Sequence, residues 1–196
     1  MAEPAVRLPD VRLRAITGNG EPLLLRALAA DDVDGLVTGA ADPLVQRWLL
    51  LPRPYERDAA AAWALTTVPA AAAAGTSLVR AIEVDGSFAG IINLWRVDRA
   101  AATAEISYWA HPTARGQGVM TAALGSLTGW ALTPAPAGGL GLGRVEVRAA
   151  VGNRPSQRVA ERAGFTREGL LRRAGRTHDG AVDVVVYSRT VDDPPA

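Results

Sequence analysis

The chain has 196 residues, 48% hydrophobic and 21% charged, enough for one domain with a sizeable core and too few for two comfortable ones. It has no cysteine and only two histidines, which excludes disulfides, a thiol nucleophile and thiolate metal sites and leaves no histidine-based metal site expected. Basic and acidic residues nearly cancel, 21 against 20, so no nucleic-acid partner is expected. No apolar run approaches the roughly 20 residues of a membrane span, so no membrane partner is expected either.

Residues 1–10 read as an N-terminal tail; they carry Glu3, Arg7 and Asp10 and no apolar stretch, unlike a secretion signal, so a cytoplasmic location is expected. Val11–Ile16 and Pro22–Leu28 are branched-rich runs around Thr17-Gly18-Asn19-Gly20-Glu21, the pattern of a β-hairpin. Asp31 or Asp32 is placed to cap a helix running to about Leu51, with Asp42-Pro43 interrupting it. A second helix is expected over Glu56–Val68, with Ala70–Gly75 as a frayed end or linker. Leu78–Val84, Phe88–Val97 and Ala102–Ala110 read as strands, the first two joined by an Asp85-Gly86 turn. Gly116–Leu132 reads as a helix with Val119, Met120, Ala123, Leu124, Leu127 and Trp130 at the helical period. Arg144–Val151 follows as a strand, Asn153–Ala163 as a helix, Arg172–Gly180 as a polar loop and Val182–Arg189 as a last strand. Hairpins interleaved with helices predict an α+β fold around one mixed, mainly antiparallel sheet, a single domain over 11–191 with a tail at 192–196.

Chemistry concentrates at Arg115-Gly116-Gln117-Gly118-Val119-Met120-Thr121, between a strand and an amphipathic helix. Two glycines let backbone N–H groups approach a ligand without obstruction by Cβ atoms. A helix start leaves N–H groups unpaired and carries partial positive charge. This one has no acid to offset it and adds Arg115, so it suits an anion such as a pyrophosphate. It lacks the Gly-Lys-Ser/Thr of a Walker loop and the glycine spacing of a dinucleotide-binding fingerprint.

The loop resembles the acetyl-CoA loop of the GNAT acyltransferases, Arg/Gln-x-x-Gly-x-Gly/Ala; Arg115 and Gly118 fit it, and Met120 departs from the final Gly/Ala. Gly-Val-Met-Thr is similar to the variant in the RimJ/RimL-type branch, which acetylates ribosomal-protein N-termini. Leu23–Leu28 is similar to that branch's first strand, Ala41–Trp48 to its Asp-Pro-x-Val-x-Arg-Trp segment, and Ala104–Trp109 to its Ala-Glu-Ile-Gly-Tyr-Trp strand. Asn153–Phe165, followed by Arg167-Glu168-Gly169, resembles its Asn-x-x-Ser…Gly-Phe helix. The resemblance covers Leu23 to Thr190. It implies a sheet of about seven strands with about four flanking helices, whose central strands splay apart. Pantetheine would pair there with the backbone of Tyr108, Trp109 and Ala110. N–H groups from Gly116, Gln117, Gly118, Val119, Met120 and Thr121 would hold the pyrophosphate, and Asn153, also a good helix cap, would reach the pantetheine arm.

Direct transfer to an amine needs a base, a polarised thioester and a proton for the leaving thiolate. Glu105 and Glu146 are the candidate bases; Glu146 lies between Arg144 and Arg148 on one strand face, so Glu105 is preferred. Many GNAT enzymes place an acidic Tyr at the position of Ala160, and Ser156 matches the serine that the RimJ/RimL-type branch is thought to use instead. Acetyl-CoA, or another acyl-CoA, is the expected co-substrate, with no metal. The acceptor is a protein N-terminal α-amine or a small amine, and a homodimer is left open. Longer donors such as succinyl-CoA would need a basic pocket, for which Arg47 and Arg53 are candidates. A non-catalytic acyl-CoA sensor is the alternative. His111 is read as solvated, and Trp48, Trp63 and Trp95 as core residues that could border an acceptor pocket.

Overall fold

The computed structural model describes residues 7–194. Strands β1 (Leu13–Ile16), β2 (Pro22–Arg26), β3 (Ser77–Val84), β4 (Ser87–Asp98), β5 (Thr103–Ala110), β6 (Arg144–Ala150), β7 (Thr166–Thr177) and β8 (Gly180–Thr190) form one sheet in the order β1-β2-β3-β4-β5-β6-β8-β7. Neighbours are antiparallel except β5 and β6, which run parallel. Their pairing covers only Thr103↔Arg144 to Ile106↔Val147. Beyond Ile106, β5 keeps β4 on one side, through Ile92↔Tyr108 to Gly90↔Ala110, while its other edge has no registered partner. The central strands therefore splay apart, as the resemblance implies.

The expected seven strands become eight because β7 extends through most of the stretch read as a polar loop. It is an exposed edge strand rich in arginine, with register shifts at Arg167/Gly169 and Leu171/Gly175. Charge and bulges blunt such edges against further pairing, and they also erase the alternation by which a strand is recognised.

Pro43 divides the first helical stretch into α1 (Val33–Ala40) and α2 (Pro43–Trp48), and the Asp42 carboxylate accepts from the N–H groups of Leu44 and Val45. The second stretch runs as α3 (Arg57–Ala62), a π-helical turn (Trp63–Thr67) and α4 (Val68–Ala73). Pro69 cannot donate an N–H and crowds the preceding turn, and the wide turn accommodates it. The alanine tract at 70–73 is helical rather than frayed, in keeping with the helix propensity of alanine. Two longer helices complete the fold, α5 (Val119–Leu132) and α6 (Arg154–Arg162). Among the described residues, no helix is long and apolar enough to cross a membrane.

Strand alternation creates two cores. Leu78, Ile92, Leu94, Ala104 and Ile106 pack with Ala123, Leu124 and Leu127 of α5, while Val79, Ile91 and Trp109 pack with Val33, Leu36 and Ala64 from the helices between β2 and β3. Leu8 belongs to the first core at 1% exposure, and its N–H bonds Ala72 O. The packed interior therefore begins inside the stretch read as a tail.

Candidate functional site

At the start of α5, Gly116 and Gly118 have φ of +79° and +76°, in the left-handed region that favours glycine. A Cβ on Gly118 would lie 2.7 Å from Gly18 N and 2.9 Å from Gly18 Cα, so the hairpin turn is pressed against the loop; one on Gly116 would meet nothing within 4 Å. Among the described residues, no side chain caps α5, and no acid occupies its first turn. Among the described residues, the N–H groups of Gly116 to Thr121 find no acceptor in the protein, as expected at a helix start. The Arg115 guanidinium turns aside: it donates to both Asp42 oxygens at 2.5 and 3.2 Å and to Ala110 O at 3.3 Å. Hydrogen bonds from Arg115 hold the Asp42 carboxyl below its usual pKa, against the opposing effect of burial. Arg115 thus fastens the loop to the cap of α2 rather than standing as a free cation.

The loop forms one wall of a cleft of about 420 Å³ that follows the splay. Tyr108, Trp109 and Ala110 form its floor, Leu44 and Trp48 its side, and Asn153, Ser156, Arg158 and Arg162 its α6 wall. Among the described residues, no Asp or Glu lines it. Asn153 caps α6, its Oδ1 accepting from Ser156 N at 3.3 Å. Ser156 Oγ donates to Tyr108 Oη at 3.2 Å, and that phenol donates to Ser156 O at 3.0 Å. Burial raises the Tyr108 pKa, partly opposed by Ser156, so the phenol remains neutral.

Residues 22–166 match the acetyltransferase (GNAT) domain family. This chain belongs to the GNAT acetyltransferase family. It is 39% identical over 104 residues, 53% of this chain and 54% of the other, to a Bacillus subtilis (strain 168) protein with the provisional name ribosomal N-acetyltransferase YdaF. It is 36% identical over 103 residues, 53% and 55% of the two chains, to the ribosomal-protein-serine acetyltransferase of Escherichia coli (strain K12). Each match therefore spans about half the length of the curated relative. Across whole folds, it superimposes on Mycobacterium smegmatis RimJ in complex with CoA-disulfide with a TM-score of 0.84 at 25% identity, covering 95% of this chain and 90% of that one.

This GNAT chain brings eleven of the thirteen sequence-predicted site residues to the cleft; Gln117 and Glu105 are not among its lining. Gln117 turns back to donate to Thr113 O at 2.9 Å. Glu105, 9% exposed, lies on the sheet face shared with Trp109, with Arg96 Nη1 at 3.2 Å and Arg148 Nε at 3.6 Å. Burial raises its pKa, and the two arginines oppose that rise. Glu146 is ion-paired with Arg144 at 2.8 Å and Arg148 at 3.0 Å. Burial pushes its pKa up, but these hydrogen bonds outweigh it and leave the carboxyl lowered.

Of the tryptophans, Trp48 borders the cleft, Trp63 packs in the second core, and Trp95 lies beneath the Arg96 guanidinium at 4.3 Å. Arg47 stacks over Trp48 at 4.8 Å, and Arg53 is held by Gln46, so neither faces the cleft. His111 bonds Thr113 at 2.7 Å and Thr38 at 3.3 Å. The Tyr108 phenol, Arg158 and Arg162 were missed. The two arginines had a legible signal, a spacing of four on a helix that already carried Ser156. Tyr108 had none, because only the fold brings β5 against α6.

Proposed function

We propose that this protein transfers an acyl group, acetyl first among candidates, from acyl-CoA directly to a primary amine such as a protein N-terminal α-amine. One observation carries this reading. Among the described residues, the cleft joins an unpaired strand edge to a helix start with unclaimed N–H groups, and no carboxylate lines it. An amide-bearing pantetheine arm suits the first feature and a pyrophosphate the second. The names of the curated relatives and the CoA-bound RimJ likeness support the same donor and a ribosomal-protein amine as acceptor.

In this reading, pantetheine lies along Tyr108, Trp109 and Ala110, and N–H groups from Gly116, Gln117, Gly118, Val119, Met120 and Thr121 hold the pyrophosphate. Each N–H to a charged oxygen contributes about 1.5–3 kcal/mol at best, so several must act together. Asn153 serves twice, fixing Ser156 through its Oδ1 and offering its amide N–H groups to the arm. The amine nitrogen attacks the thioester carbonyl, the C–S bond breaks, and Ser156 Oγ turns its proton from Tyr108 Oη to the thiolate and regains one from solvent. Glu105, on the opposite sheet face, takes the amine proton through water. Its raised pKa keeps it a better base than an exposed glutamate.

Thermal unfolding tests the donor assignment. Millimolar acetyl-CoA should raise the melting temperature, since a ligand that binds only the folded state stabilises it. No shift, or an equal shift from ATP, would refute the reading.

A further inference from the structure

We propose that Arg158 and Arg162 recognise the ribose 3′-phosphate of coenzyme A and make the enzyme select CoA over 3′-dephospho-CoA. The inference rests on the acyl-CoA reading of the cleft and adds to it the residues that read the far end of the donor.

Positive charge is unevenly matched around the cleft. Three arginines line it. Arg115 is matched by Asp42 at 2.5 Å, which leaves Arg158 and Arg162 as its cations without a counter-ion among the described residues. Both project from α6 and are exposed at the rim, while Gln157 and Ala160 of the same helix face inward. Arg154, Arg158 and Arg162 recur at every fourth position, so their guanidinium groups share one stripe of α6. Like charges at that spacing repel, and the usual relief is an interleaved acid. Here, Arg154 donates only to the neutral Gln157 amide, and Glu161 is turned to the Tyr187 hydroxyl at 3.0 Å. The repulsion is left for a ligand to relieve.

An acyl-CoA brings two separate anionic groups. The pyrophosphate is matched by the unclaimed N–H groups at the start of α5, a cradle without a side-chain cation of its own. The 3′-phosphate is a compact, doubly charged group on the ribose, beyond the pyrophosphate and toward solvent. It suits the guanidinium forks at the exposed rim, whose planar donors pair with phosphate oxygens.

The test is titration calorimetry of the whole protein with CoA and with 3′-dephospho-CoA. Wild type should bind CoA at least about tenfold more tightly, the lower end of a charge-assisted hydrogen bond. Arg158→Gln and Arg162→Gln should each weaken CoA while leaving dephospho-CoA unchanged, so that the ratio falls toward one. Unliganded melting temperatures within a degree or two would show that the variants fold. Equal wild-type affinity for both ligands would overturn this inference alone, and so would equal losses for both ligands in the variants, which would assign the arginines to the pyrophosphate. Wild type binding neither ligand would overturn the acyl-CoA reading and this inference with it.

Discussion

Gly116→Asp separates the anion cradle from the fold. A Cβ at this position meets nothing within 4 Å, so the structural cost is confined to the backbone at φ +79°. Aspartate visits that region more readily than most residues, and the penalty is about 1 kcal/mol. For a domain of this size, that lowers the melting temperature by roughly 2–4 °C. The effect on binding is larger. A carboxylate about 5 Å from a phosphate charge, at an effective dielectric between about 20 and 80, costs roughly 1–3 kcal/mol. Affinity for acetyl-CoA should fall about 5- to 150-fold by calorimetry, and the loss should shrink as salt screens the exposed charges. A folded variant with its acetyl-CoA affinity intact would refute the cradle. Gly118→Ala is the contrasting case. Its Cβ would meet Gly18 backbone atoms at 2.7 and 2.9 Å, so it should destabilise the unliganded protein by about 2 kcal/mol or more.

Ser156→Ala should lower kcat by more than about tenfold in a discontinuous acetylation assay, because general acid catalysis typically contributes roughly 10²–10⁴-fold; a smaller loss would reduce Ser156 to a helix residue. Glu105→Gln should cost most at neutral pH and lose its effect as pH passes the acceptor amine's pKa, and a pH-independent deficit would make Glu105 structural. Burial lets folded Glu105 keep its proton to higher pH than the unfolded chain does, so its ionisation removes stability as pH rises from about 4.5 through the raised value, and Glu105→Gln should flatten that part of the melting curve. Asp42 has the opposite sign: its lowered pKa contributes stability above about pH 4 that is lost as pH falls through the folded value. Asp42→Asn should therefore lower the melting temperature at pH 7 and narrow its difference from wild type in acid.

What was legible in the sequence is what local patterns encode. The period of α5 is reproduced residue for residue, with Val119, Met120, Ala123, Leu124, Leu127 and Trp130 all buried. Asp42-Pro43 divides its helix and caps the second part because an Asx-Pro pair fixes both features locally. The glycines at 116 and 118 leave the helix start free of Cβ atoms, as the anion reading required, and both adopt a positive φ. Less legible was anything set by tertiary contact. Arg115 reads as a free cation in its loop, but Asp42, 73 residues away in sequence, claims it. Glu105 alternates with Trp109 as expected, yet the sequence does not say that Trp109 reaches the cleft lining while Glu105 is held by Arg96 and Arg148 outside it. The edge strand β7 carries arginines and bulges where a pattern search needs alternation.

Acyl transfer itself can be measured on peptides. Purified protein with acetyl-CoA and peptides bearing different N-terminal residues can be followed by mass spectrometry of the peptide and by release of free CoA thiol. We expect one acetyl group per peptide, on the α-nitrogen, formed in step with an equal amount of free CoA and suppressed in Ser156→Ala. Acetyl-CoA that binds and raises the melting temperature, yet releases no thiol with any peptide or small amine, would contradict it and leave a binding protein in place of an enzyme.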